Sequence, residues 1–214
     1  MGLQRIYIIG DSISIQYGPY LQQYLNGFMD YARKDGEAEA LLNLDRPQGA
    51  NGGDSSMVLD FLQAAAATRS IRADILLLNC GLHDIKTDPV RGTKQVSLDA
   101  YTRNLQAMVP IVQQTLGIKL AWIRTTPCDE KVHNASAQMA FHRYAADCLA
   151  YNAAADAVMA AAGVPMIDLH TFTLNLAPDL YCDHVHFTDP VRRLQAAFIA
   201  GWLTTRDAQP GLHL

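Results

Sequence analysis

The stretch YIIGDSISI, residues 7–15, joins an apolar run to a short polar turn and then to a second apolar pattern. An apolar run rich in isoleucine predicts a buried strand over 6–9, and Gly10, Asp11 and Ser12 are typical of the turn that ends it. Ser is also a favoured helix N-cap, and a helical pattern follows at 20–29. The stretch therefore predicts a strand, a turn and a helix, and it leaves Ser12 as either a turn residue or a nucleophile.

Apolar runs of strand length recur along the chain and alternate with helical patterns. After 6–9, the predicted strands are Ala40–Leu44, Ile75–Leu78, Leu120–Ile123 and Val164–Ile167. The predicted helices are 20–29, 56–67, 98–116, 144–162 and 191–204, and Pro110 is expected to kink or split the third. This alternation predicts an α/β fold with three layers, in which helices cover both faces of a mainly parallel five-stranded sheet.

The composition favours a single domain over residues 1–214, because 50% of the residues are apolar and no linker or repeat divides the chain. The 17 basic and 21 acidic residues give a net charge of −4 without a basic stripe, so we expect no nucleic-acid partner. No apolar run approaches the roughly 18 residues of a spanning helix, so we expect no membrane partner. The absence of a signal-peptide pattern and the scattered cysteines favour a cytoplasmic protein with free thiols.

Polar loops follow the predicted strands. GDS follows the first strand, GANGGDSS the second, NCGLHD the third and RTTPC the fourth, and CDHVHFT lies beyond the fifth. In parallel sheets the loops after the strands gather at one edge, where ligands bind. Ser12 is therefore expected beside these polar loops, which favours a nucleophile over a turn residue.

A reactive serine needs a base, and the base needs a group that fixes its tautomer and stabilises its charged form. The segment DHVHF supplies both, because Asp183 and His186 are three residues apart and can meet across one turn. The oxyanion formed in acyl transfer needs N–H donors. The backbone amides of Ser12 and Gly53 are suited to this role, and His83 offers a side-chain N–H.

Four blocks of the chain together resemble the SGNH, or GDSL-type, hydrolase family. They are GDS at 10–12, GGD at 52–54, GLHD at 81–84 and the D-x-x-H of 183–186, in that order. The resemblance implies a flavodoxin-like SGNH-hydrolase architecture in which Ser12 is the nucleophile, His186 the general base and Asp183 its orienting carboxylate. It also implies an oxyanion hole formed by Ser12, Gly53 and His83.

His83 is the main departure from the family pattern, in which an Asn side chain normally supplies the third donor from a G-x-N-D block. A histidine with one protonated nitrogen still donates one hydrogen bond, so His83 keeps this predicted role. Within GGD, either Gly52 or Gly53 could direct its amide inward, and we choose Gly53.

The resemblance implies a serine esterase that hydrolyses a small ester through an acyl-enzyme intermediate, with no cofactor. An acetyl or other short acyl group, on a carbohydrate among other alcohols, is the preferred substrate. A thioesterase or lysophospholipase on the same scaffold is one alternative, and a non-catalytic ligand-binding domain is another. Histidines without supporting context in the sequence, such as His133 and His142, are expected at the surface.

His184 and His186, with Asp183 beside them, also resemble the core of a metal site, because alternating residues share one face of a strand. The sequence shows no clear further ligand, although His170 and Asp168 are candidates. We therefore expect no metal, and we place His184 at the pocket wall or at the surface.

Overall fold

The computed structural model describes residues 2–137, 139–176 and 178–207. Its centre is a parallel sheet of five strands in the order β2-β1-β3-β4-β5. The strands are β1 Gln4–Ile9, β2 Met29–Arg33, β3 Ile75–Leu78, β4 Lys119–Ile123 and β5 Met166–Ile167. This confirms the predicted α/β fold with a five-stranded parallel sheet, and the strand order is that of flavodoxin-like folds.

Helices flank the sheet in two groups, since α1 packs on α8 while α3 and α6 pack on α4. The helices are α1 Ser12–Leu25, α2 Glu37–Leu42, α3 Ser55–Thr68, α4 Leu98–Pro110, α5 Glu130–Asn134, α6 Ala145–Ala161, α7 Leu169–Leu174 and α8 Asp189–Asp207. The central strands are buried, as the complete burial of Leu76, Leu77 and Leu78 in β3 illustrates. A parallel strand covered on both faces is apolar along its whole length, which explains why the runs of β1, β3 and β4 are readable in the sequence.

The second predicted strand is wrong. Residues 40–44 lie mostly in α2, which begins after Gly36 in the left-handed conformation (φ 94°), and Glu, Ala and Leu are good helix formers. The edge strand is β2, whose mixed sequence MDYAR has only its two ends buried. The helix predicted over 20–29 accordingly begins earlier, at Ser12, and ends at Leu25.

Pro110 splits a helix, as predicted. Helix α4 ends at Pro110, and a π-helical turn over Ile111–Thr115 follows it. The α-helical pattern changes here because proline has no N–H to donate to the preceding turn. The four cysteines are unpaired, in agreement with the prediction. None of the helices in the described ranges is both long enough and apolar enough to cross a membrane.

Candidate active site

Ser12 is the first residue of α1, directly beyond the carboxyl end of β1. Asp11 caps this helix, since its Oδ1 accepts a hydrogen bond of 3.0 Å from the amide of Ile13. A side chain at Gly10 would collide with Ser14, because an added Cβ would lie 2.8 Å from the Ser14 Cβ. The amide of a first helical residue has no acceptor within its own helix, so the amide of Ser12 remains available to a ligand.

The structure brings Ser12, His186 and Asp183 into one hydrogen-bonded chain. Ser12 Oγ lies 2.9 Å from His186 Nε2, and His186 Nδ1 lies 2.7 Å from Asp183 Oδ2. Because the carboxylate accepts from Nδ1, the imidazole carries its proton there and presents an unprotonated Nε2 to the serine hydroxyl. This is the arrangement in which a histidine removes a proton from a serine.

Backbone hydrogen bonds hold Asp183 in place. Its Oδ1 accepts from the amides of Val185 at 2.9 Å and His186 at 2.7 Å, so the D-x-x-H segment closes on itself. Burial opposes ionisation, but these amides and the His186 imidazole outweigh it and lower the pKa of Asp183 below its ordinary value. The carboxylate is therefore ionised and can stabilise an imidazolium at His186.

The GGD loop lies beside the end of β1, where Asn51 forms a parallel bridge with Gly10. The amide of Gly52 donates to the Gly10 carbonyl at 2.9 Å, and this backbone contact fastens the loop to the strand. The amide of Gly53 instead donates to the side-chain Oδ1 of Asn51 at 3.0 Å. A side-chain acceptor can give way to a substrate more readily than the backbone can, so this difference favours Gly53 over Gly52 as an oxyanion donor.

His83 is buried in the same region, with 4% of its surface exposed. Burial, reinforced by the nearby charges of Lys86 and Arg143, lowers the pKa of His83 well below its ordinary value. His83 is therefore a neutral imidazole at neutral pH and has one N–H to donate. Its neighbour Asp84 accepts from the amide of Ser55 at 2.9 Å and joins the GLHD block to α3.

The sequence did not reveal a second hydrogen-bonded chain, which runs from Asp45 through His184 and His133 to Arg143. Asp45 Oδ1 lies 3.0 Å from His184 Nε2, and His184 Nδ1 lies 2.9 Å from His133 Nδ1. Arg143 Nη1 lies 3.4 Å from the same His133 nitrogen. Contrary to the prediction, His133 is completely buried.

Hydrogen-bond roles constrain the protons of this second chain. Across the 2.9 Å contact between His184 Nδ1 and His133 Nδ1, one nitrogen donates and the other accepts. The hydrogen bond from His184 lowers the pKa of Asp45, so this carboxylate is ionised and accepts from His184 Nε2. Burial lowers the pKa of His133 to about 4 and keeps this ring neutral, so it offers one N–H and one acceptor nitrogen.

A metal ion does not fit the candidate ligands. Oxygen and nitrogen atoms of Asp45, His184 and His186 gather within 4.8 Å of one another. However, the two ring nitrogens of His184 are held by Asp45 and His133, and those of His186 are held by Asp183 and Ser12. Binding a metal here would take His186 from the serine.

His170 and Asp168, the other candidate metal ligands, have structural partners elsewhere. His170 Nδ1 donates to the Thr125 carbonyl at 2.8 Å. Asp168 forms an ion pair of 2.8 Å with Arg124 and caps α7. Neither residue joins His184, which lies against the triad, as its 5.8 Å ring-centroid separation from His186 shows.

Solved structures with the same fold include three proteins of low sequence identity to this chain. The lipase/acylhydrolase from Enterococcus faecalis is 16% identical, with a TM-score of 0.67 over 95% of this chain and 97% of that one. The acetyl xylan esterase AlAXEase is 18% identical, with a TM-score of 0.67 over 94% and 98%. A GDSL-like lipase from Bacteroides thetaiotaomicron is 15% identical, with a TM-score of 0.65 over 96% and 89%. No curated protein matches the chain significantly.

The family model that matches covers most of the chain. Residues 8–194 match the GDSL-like lipase/acylhydrolase family, and this range contains all four sequence blocks. The chain is therefore a carboxylic ester hydrolase of the GDSL-like lipase/acylhydrolase, or SGNH hydrolase, family.

Proposed function

We propose that this protein is a serine esterase that cleaves a small ester through an acyl-enzyme intermediate. The observation that carries the proposal is the unbroken chain from Ser12 Oγ to His186 Nε2 at 2.9 Å and from His186 Nδ1 to Asp183 Oδ2 at 2.7 Å. A serine that only capped a helix would not need a histidine and a carboxylate aligned behind its hydroxyl.

In the first half of the reaction, Ser12 Oγ attacks the ester carbonyl while its proton passes to His186 Nε2. Asp183 stabilises the imidazolium that forms. The oxyanion receives hydrogen bonds from the amides of Ser12 and Gly53 and from neutral His83, and the Gly53 amide exchanges its Asn51 acceptor for this oxygen. Collapse of the tetrahedral intermediate expels the alcohol, which takes the proton from His186.

In the second half, water attacks the acyl-enzyme. His186 Nε2 takes a proton from this water, and the same donors hold the second oxyanion. Collapse then releases the acid, and His186 returns the proton to Ser12 Oγ. Each step uses only side chains and amides of this chain, so the proposed cycle requires no cofactor.

Two observations support a short acyl group, with an acylated sugar as one candidate substrate. Ser12, His83 and His186 are each at most 5% exposed, so the acyl group must enter a confined site rather than lie on an open surface. A protein of the same fold is described as an acetyl xylan esterase, which provides a precedent for an acetyl group on a carbohydrate.

The test is hydrolysis of p-nitrophenyl acetate by the wild type and by Ser12→Ala, with a chelator present. The proposal predicts turnover by the wild type and none above background by Ser12→Ala, with rates that fall as the acyl chain lengthens from acetyl to octanoyl. Equal activity of the two proteins would remove Ser12 from the mechanism. Faster cleavage of long acyl chains would instead favour a lysophospholipase, and faster cleavage of the matching thioesters would favour a thioesterase.

A further inference from the structure

Arg143 is a buried arginine that forms no ion pair with any acidic side chain among the described residues. Only 3% of its surface is exposed, and its Nε donates to the Leu82 carbonyl at 2.8 Å. Its Nη1 contacts neutral His133 at 3.4 Å, and no hydrogen bond of Nη2 is found within the described ranges. No carboxylate of the described residues forms an ion pair with Arg143, although buried charges in proteins are normally paired.

Lys86 adds a second cation beside the first. Its Nζ lies 4.6 Å from the centroid of the Phe141 ring, and Arg143 Cζ lies 5.0 Å from the same centroid. Burial, together with the charge of Arg143, lowers the pKa of Lys86 to about 8. Lys86, like Arg143, has no ion pair with any carboxylate in the part of the chain that the structure describes.

The acids that face this cation pair, Arg143 and Lys86, already have other partners. Asp11 caps α1, Asp54 caps α3, and Asp45 is paired with His184. None of these three acids forms an ion pair with Arg143 or Lys86.

The cation pair borders the catalytic residues. Arg143 holds the carbonyl of Leu82, the residue directly before His83, and the charges of Arg143 and Lys86 both act on the His83 ring. Arg143 is about as buried as Ser12, which is 5% exposed and must contact substrate under the proposed mechanism. Arg143 and Lys86 therefore adjoin the loop that carries His83, the predicted oxyanion donor.

We propose that Arg143 and Lys86 bind a carboxylate carried by the ester substrate, so that this esterase prefers anionic esters over neutral ones. The inference rests on the proposed function, because it assigns a second contact to the substrate of that same site. A guanidinium binds a carboxylate through charge-assisted hydrogen bonds, and the lysine adds a point charge. The carboxylate belongs either to the acyl part or to the alcohol part of the ester.

Calorimetric titration of the Ser12→Ala protein tests the proposal without turnover. The probes are monomethyl glutarate, with its carboxylate on the acyl side, and acetoxyacetate, with its carboxylate on the alcohol side. Their neutral counterparts are dimethyl glutarate and methyl acetoxyacetate. We expect at least one anionic probe to bind about tenfold more tightly than its neutral counterpart, the size expected for a charge-assisted hydrogen bond.

Variants in the Ser12→Ala background locate the preference. Arg143→Gln should abolish it, and Lys86→Met should reduce it at least threefold. Arg33→Gln is the matched control, because Arg33 is also buried but donates to the Ser14 carbonyl at 3.2 Å, and it should leave the preference in place. If Arg143→Gln does not fold, Lys86→Met alone tests whether the preference for anionic probes depends on the cation pair.

Equal affinity for anionic and neutral probes would overturn the proposal, and so would a preference that survives Arg143→Gln or is unchanged in Lys86→Met. Turnover of p-nitrophenyl acetate by the wild type is measured separately. If the wild type shows no turnover and a fluorophosphonate fails to label Ser12, the proposed esterase function is contradicted. The titration would still show whether Arg143 and Lys86 bind an anionic ligand.

Discussion

The triad and the cation pair lie side by side but differ in how completely their polar groups are matched. Every nitrogen and oxygen that joins Ser12, His186 and Asp183 has a partner at 2.7–2.9 Å. Arg143 and Lys86 have no acidic partner within the described ranges, and the neighbouring His133 Nε2 is buried without any hydrogen bond. The polar groups of the triad thus already have hydrogen-bond partners in the free protein. The proposed partner of Arg143 and Lys86 is instead a carboxylate of the substrate.

This difference separates two tasks of an esterase. Groups that perform the chemical step are best fixed before the substrate arrives, because preorganised hydrogen bonds need no rearrangement during the reaction. Groups that select a substrate keep free donors, since their partner is supplied by the ligand. Variants should therefore affect the two regions differently, with effects on rate at the triad and effects on preference at the cation pair.

The largest effect is expected from Ser12→Ala or His186→Ala. Loss of either should lower kcat for p-nitrophenyl acetate by at least about 10⁴-fold, because nucleophile and base act as one unit. The double variant should be no slower than either single one. Additive losses would show that the two residues act independently, and unchanged thermal unfolding of Ser12→Ala serves as the control for folding.

Asp183→Asn should come next, with a loss of about 10³- to 10⁴-fold in kcat. The amide keeps the size of the side chain but no longer favours the His186 tautomer that presents an unprotonated Nε2 to Ser12. Steady-state kinetics on a short ester measure the effect. A loss of less than tenfold would mean that Ser12 and His186 work without the carboxylate.

His83→Ala should lower kcat by about 10²- to 10³-fold, the loss typical of one missing oxyanion donor. His83→Asn should stay within about tenfold of the wild type, because the amide also donates one hydrogen bond. Since the pKa of His83 is lowered well below its ordinary value, the wild type and His83→Asn should have pH–rate profiles of the same shape. If His83 instead acted as an imidazolium, only the wild type would lose activity as the pH rises through about 6.5.

The smallest effect on rate and a measurable one on stability are expected from Asp84→Asn. Burial raises the pKa of Asp84 to about 7, so between pH 4 and 7 the folded protein holds a proton that the unfolded chain has released. Stability therefore falls as the pH rises through this window, and Asp84→Asn should remove the fall. At pH 8 the variant should be more stable by on the order of 2–4 kcal/mol in urea unfolding, and at pH 4 the two proteins should match.

If Asp84→Asn is less stable than the wild type at pH 8, Asp84 holds its position as an ionised carboxylate. The hydrogen bond from the Ser55 amide is the reason to choose Asn for this comparison, because Asn retains an oxygen to accept it. Asp84 directly follows His83 in the GLHD block. The same measurement therefore shows whether the carboxyl group beside His83 is uncharged at low pH.

The sequence placed Ser12, His186 and Asp183 together because much of their geometry is local. Asp183 and His186 lie three residues apart, and the hydrogen bonds that orient the carboxylate come from amides within the same segment. Ser12 follows a central strand whose continuous apolar run is easy to recognise. The partner blocks then meet at the carboxyl edge because the sheet is parallel.

The cation pair was not predictable, because its contacts are distant in sequence. Arg143 reaches Leu82 across 61 positions, and His184 reaches His133 across 51.

The edge strand β2 was missed for a different reason. An edge strand with one exposed face has no continuous apolar run, while the apolar residues of α2 imitate one. The acceptor of the Gly53 amide likewise depends on the side chain of Asn51, which no spacing rule specifies.

The most direct test of the central claim is labelling of the wild type with a fluorophosphonate, followed by mass-spectrometric mapping of the modified peptide. A single adduct on Ser12 is expected, and no adduct in His186→Ala, because the imidazole 2.9 Å away activates the serine hydroxyl. An adduct on another residue, or labelling that persists without His186, would contradict it.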